Sequence, residues 1–66
     1  MDEVYEAYSV KMVSKEPNPE QNVVWITIVV KKSEVDFGKM AKEAEIRKKG
    51  YSVLTISKTE IEIYVI

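Results

Sequence analysis

Histidine and cysteine are both absent from this sequence, and with them go the commonest general base and the best side-chain nucleophile. The side chains left for acid–base work are carboxylates, lysines and tyrosines, and they are spread along the chain. Glu60 and Glu62 are two residues apart, which on a strand places both on one face, as an acid–base pair requires. That spacing is also the ordinary pattern of a solvated strand face. The only glycines are Gly38 and Gly50, so no glycine-rich phosphate loop exists. No Asp/Glu-rich segment has the spacing of a calcium loop, and without Cys or His no zinc-type site is available. These absences point away from an enzyme and lead us to expect no catalytic residue, no metal and no cofactor.

The residues left to do chemistry are aromatic and cationic. Trp25, the tyrosines and the nearby lysines Lys11 and Lys31 suit recognition, through apolar contact or through stacking on a base. The elements that hold them follow from periodicity. Val4 to Ser14 reads as a strand, with Tyr8, Val10 and Met12 on one face. Lys15 to Asn22 reads as a loop around Pro17 and Pro19, neither of which can donate to a ladder. Val23 to Lys32, with its run of Val, Val, Trp, Ile, Thr, Ile, Val and Val, has the strongest strand signal.

A helix follows. Ser33 is placed to cap it, with Asp36 three residues on in the capping-box position. Arg47, Lys48 and Lys49 sit at its negative end, and Gly50 is the left-handed residue that stops it. Phe37, Met40, Ala41 and Ala44 share one side, a narrow stripe that suits close packing on a sheet. Lys39–Glu43 and Glu45–Lys49 are spaced for ion pairs along the outer side. Gly38, inside the helix, marks either a tolerated first-turn position or a close approach. Tyr51 to Ser57 and Glu60 to Ile66 read as two more strands, with a turn near Lys58 and Thr59. The apolar end of the last strand is expected to be paired within the sheet.

The expected fold is therefore α+β, a single domain over residues 1–66 with the element order ββαββ. One helix covers one face of a four-stranded sheet. Two strand orders fit: a β-grasp-like 2-1-4-3 with central terminal strands, and a split βαβ order 1-2-4-3 that makes Val23 to Val30 central. A 66-residue chain buries only about 60% of its unfolded surface, so good packing or self-association must supply what disulfides and metals do not.

One helix leaves the other sheet face without cover. Strict alternation gives the helix side Leu54, Ile56, Ile61, Ile63 and Val65, along with Val24, Ile26, Ile28 and Val30. The open side then receives Val13, Val23, Trp25, Val29, Tyr51, Val53, Tyr64 and Ile66. A solvated antiparallel face is normally polar, and an exposed apolar patch usually marks an interaction site. The function this implies is a small non-enzymatic interaction module. Val23, Trp25, Val29, Tyr51, Val53 and Tyr64 are its expected contact residues, and its partner is a second copy (a homodimer) or another protein. Cross-strand pairing of good strand formers explains the same composition without any partner, as in a stable or designed scaffold with no biological ligand.

Single-stranded nucleic acid is the other alternative, read from the sheet aromatics and lysines. The near-neutral charge of −1, the alternation of helical cations with Glu43 and Glu45, and the missing RNP-type motif weigh against it. The longest apolar run is far shorter than the roughly 20 residues of a membrane-spanning helix. No basic, apolar leader is evident, so the expected location is cytoplasmic.

Overall fold

The computed structural model describes residues 3–16 and 23–65. The expectations made for Pro17, Pro19 and Ile66 fall outside these residues. Among them the chain forms β1 (Glu3–Ser14), β2 (Val23–Lys31), a 3-10 turn (Lys32–Glu34), α1 (Phe37–Arg47) and β3 (Tyr51–Val65). The sheet is three-stranded and antiparallel, in the order β2-β1-β3. The fold class is α+β, but the four-stranded ββαββ arrangement is not formed, and with it both proposed strand orders fall. β1 is central, and the apolar β2 is an edge strand.

The expected turn at Lys58 and Thr59 does not exist; β3 runs through it. Neither residue favours the positive φ of a tight hairpin turn, and no non-glycine residue among those described has positive φ. β1, moreover, is long enough to pair with the whole segment. The three residues by which β3 exceeds β1 are absorbed at two irregularities. One is between Lys11 and Met12, where Leu54 is extra. The other is between Glu6 and Tyr8, where Thr59, Glu60 and Ile61 stand against Ala7. Thr59 holds the second bulge together. Its hydroxyl donates to the Ala7 carbonyl oxygen at 2.8 Å and accepts from the Ile61 N–H at 3.2 Å.

The helix starts later than Ser33. Lys32–Glu34 is a separate turn, and Asp36 is the cap, with a side-chain oxygen accepting from the Lys39 N–H at 3.1 Å. Asp36, expected as the capping-box partner of Ser33, is itself the cap. Gly38 is the second residue of α1, in its first turn, and a Cβ there would lie 3.3 Å from the capping oxygen of Asp36. At the other end, Gly50 has φ +88 and its carbonyl oxygen accepts from the Lys15 N–H at 2.9 Å. The left-handed glycine thus ties the start of β3 to the end of β1.

Met40 and Ala44 of α1 are buried against Tyr8, Val10, Met12 and Ile28. Phe37 lies at the edge of this core, 55% exposed, with its ring edge-on to Tyr8 at 5.7 Å. The outer ion pair formed is Glu43–Arg47, at 2.8 Å. The core is thus a small cluster on one face of the sheet, centred on β1.

Candidate interaction face

The register defines the helix-free face row by row. Across it, Val23, Val13 and Ser52 form the first row. Trp25, Lys11 and Thr55 form the next, then Thr27, Ser9 and Ser57. Val29 and Ala7 follow, beside the Thr59–Ile61 bulge, and after them Lys31, Tyr5 and Ile63. Glu3 and Val65 close the series. The middle is a hydroxyl band. Toward one end stands Trp25 with Val23; toward the other stand Val29, Ile61, Ile63 and Val65. All six of these apolar residues are exposed, Trp25 by 59% and Ile61 by 60%.

Of the six contact residues expected from the sequence, Val23, Trp25 and Val29 lie together on this face. Tyr51 and Val53 do not. Both pack against the helix-side core, Val53 opposite Met12 and Tyr51 opposite Ser14. Tyr64 is opposite Val4, on the same side as Glu6 and Glu62. For Tyr51 and Val53 the extra residue at Leu54 is the cause. One inserted residue reverses the alternation of everything after it. Tyr51 and Val53, before it, therefore share the helix side with Ile56 beyond it. Tyr64 joins the helix side, and Ile61, Ile63 and Val65, expected in the core, stand on the open face, because β3 runs on through the expected turn with the alternation of Ile56 kept. Leu54 itself is exposed at the bulge.

Charged side chains stand within the face and at its end. Lys11 stands over the Trp25 ring, its Nζ 5.5 Å from the centroid, within range of a cation–π contact. At the opposite end Lys31 pairs with Glu3 at 3.1 Å, and the Tyr5 hydroxyl donates to the same carboxylate at 3.1 Å. The hydrogen bond from Lys31, followed by that from Tyr5, holds the Glu3 carboxyl below its usual pKa. Lys31 and Tyr5 are raised, chiefly because each donates to Glu3.

A second network lies on the helix side. Glu6 is buried, with only 5% exposed. It accepts from Tyr8 at 3.1 Å and pairs with Lys58 at 2.7 Å. Lys58 lowers the Glu6 pKa against the opposing effect of burial, and burial together with Glu6 raises that of Tyr8. Tyr64 donates to Glu62 at 2.8 Å. Three times, then, a strand tyrosine bonds the glutamate two residues before it: Glu3–Tyr5, Glu6–Tyr8 and Glu62–Tyr64. The repeated Glu-x-Tyr spacing is a signal visible in the sequence, because residues i and i+2 share a strand face. These networks are satisfied: among the described residues no buried side-chain polar atom lacks a partner. Nor do those residues contain a group of three or more acidic side chains placed to hold a metal ion.

No protein-family model, curated protein or solved structure matches this chain. Among the described residues, no helix is long and apolar enough to cross a membrane.

Proposed function

We propose that this protein is a non-enzymatic interaction module that self-associates through the helix-free face of its sheet. The observation that carries this reading is the group of exposed apolar side chains on that face: Trp25, Val23, Val29, Ile61, Ile63 and Val65. The surface as a whole agrees with it. The chain exposes 5003 Å², whereas a compact monomer of 7.6 kDa exposes about 4,300 Å². Its radius of gyration is 13.5 Å, against about 11 Å for a compact domain of this length.

A second copy fits this face because the face complements itself. A two-fold axis along the Thr27–Ser9–Ser57 row turns the Trp25 end of one copy onto the aliphatic end of the other, and hydroxyl row meets hydroxyl row. Two such faces packed about 10 Å apart would form a sandwich core. For Trp25 alone, covering its exposed part removes about 100–150 Å² from water, roughly 2–3 kcal/mol per copy before ordering costs.

Light scattering on a sizing column across a wide range of protein concentration tests the proposal. The wild type is expected to exceed monomer mass, and Trp25→Ser and Ile63→Ser to lower it while keeping the far-UV circular dichroism of the fold. A wild-type monomer at every concentration, or two folded variants with unchanged mass, refutes the reading.

A further inference from the structure

The free edge of β2 is a second surface, distinct from the face. β2 pairs with β1 through nine consecutive residue pairs, from Val13↔Val23 to Tyr5↔Lys31, without a bulge. Its other side carries no strand among the described residues. Natural edge strands are blunted by charges, prolines or bulges, because their unpaired N–H and C=O groups will template another strand. The outer edge of β3 has such protection, with two irregularities and the charged residues Lys58, Glu60 and Glu62. β2 has one charge, Lys31, at its end, and no proline.

We infer that two copies of this chain join along the β2 edge, antiparallel about a two-fold axis at Thr27, into one continuous six-stranded sheet. The inference rests on the reading that the chain self-associates. It is carried by the near-palindromic sequence of β2 around Thr27. In that register Ile26 stands opposite the partner's Ile28 and Val24 opposite its Val30, all on the helix side. Trp25 stands opposite the partner's Val29, and the two Thr27 residues face each other, on the helix-free side. The parity is correct on both faces, as a two-fold axis normal to the sheet demands. No like charges meet, since Lys31 falls opposite the partner's Val23.

Burial supports the same contact. Val24, Ile26 and Val30 point to the core side yet are only half-buried, and an adjoining copy would complete their cover. The edge also supplements the face. Three strands about 4.8 Å apart, over some nine residues, offer a footprint of only about 400 Å² per copy, against about 800 Å² in a standard interface. Face and edge together give an assembly of four copies, two six-stranded sheets stacked on their helix-free faces. Arg47 approaches this edge, with Nη1 3.5 Å from the Thr27 carbonyl oxygen. It is half-exposed and anchored to Glu43, so it can move aside.

A cysteine scan on this cysteine-free chain tests the register. Directly opposed residues of an antiparallel pair have Cα atoms about 4.5–5.5 Å apart, within disulfide reach. Residues on two stacked sheets, about 10 Å apart, are beyond it. Thr27→Cys should therefore form a disulfide-linked dimer under mild oxidation at least about tenfold faster than Thr55→Cys, which shares the helix-free face but lies on β3. Equal rates for the two variants overturn the edge inference. If the wild type is still larger than a monomer by light scattering, the self-association reading stands without it. Hydrogen exchange on the wild type gives a measurement that needs no variant. Alternate amides of Val23–Lys31 should become more protected as protein concentration rises, and concentration-independent exchange there overturns the inference.

Discussion

Thr59 decides between a continuous β3 and a hairpin turn, and its side chain gives the test. Its hydroxyl makes two hydrogen bonds inside the bulge, to the carbonyl of the buried Ala7 at 2.8 Å and from the Ile61 N–H at 3.2 Å. Thr59→Val keeps the shape and the strand preference and removes both. A hydrogen bond contributes about 1 kcal/mol net, and stranding a buried acceptor costs about 1–3 kcal/mol. The expected loss is therefore about 2 kcal/mol, a large part of the roughly 3–10 kcal/mol that a domain this small commands. With a urea dependence near 1 kcal/mol per molar, the unfolding midpoint should fall by about 2 M. Thr59→Ser retains the hydroxyl and should recover most of the loss. Both variants and the wild type are compared at one protein concentration, because association adds stability by mass action. At a surface turn the hydroxyl would lie in water and Thr59→Val would be nearly neutral. A change below about 0.5 kcal/mol, with Val and Ser alike, would refute the bulge and the continuous strand together.

Two further outcomes follow from the helix side of the sheet. The folded-state pKa of Glu6 lies below its usual 4.5, chiefly through Lys58. As pH falls through that range the unfolded chain binds the proton first, so the stability contributed by Glu6 is present above pH 4.5 and lost below it. Urea midpoints measured from pH 7 down to pH 3 should show this loss. Glu6→Gln should flatten it without abolishing it, since Glu3 is lowered as well; an unchanged acid slope would remove Glu6 from the account. Met12 is fully buried near the end of the central strand β1, between Val24 and Val53, so Met12→Ala should cost about 2–5 kcal/mol. A loss under about 1 kcal/mol in urea unfolding would mean that the core does not close around that side chain.

The elements that were legible in the sequence are those whose signals are local. Arg47 and Gly50 mark the end of α1, and Met40 and Ala44 its buried side, by residue type and spacing alone. β1 and β2 keep one alternation along their length, so Tyr8, Val10, Met12 and Ile28 could be assigned to the core without knowing the strand order. What was hidden depends on pairing at a distance. Nothing in Lys58–Thr59 or at Leu54 announces a bulge; each exists because a 12-residue strand and a 15-residue strand must end together. The position of β2 at the edge was hidden for the same reason. Its apolar run favours a central place, as in one of the two strand orders read from the sequence, when β2 is instead at the edge, half covered by α1 on one side and uncovered on the other.

The interaction face is less sensitive to that error than the individual residues are. β3 carries apolar side chains at both parities, with Tyr51, Val53 and Ile56 before the second bulge and Ile61, Ile63 and Val65 after it. The reversal at Leu54 takes Tyr51 and Val53 off the open face and the continuous run of β3 brings Ile61, Ile63 and Val65 onto it, so one apolar set replaces another and the open face stays apolar. Trp25, Val23 and Val29 are fixed on it by the unbroken pairing of β2 with β1. A sheet whose strands are apolar on both sides can be relieved by a second helix or by another copy, and only one helix is present among the described residues. In the proposed assembly the exposed side chains of the face and the near-palindromic edge beside it are two parts of one arrangement, in which a second copy would supply the layer that α1 supplies on the other side.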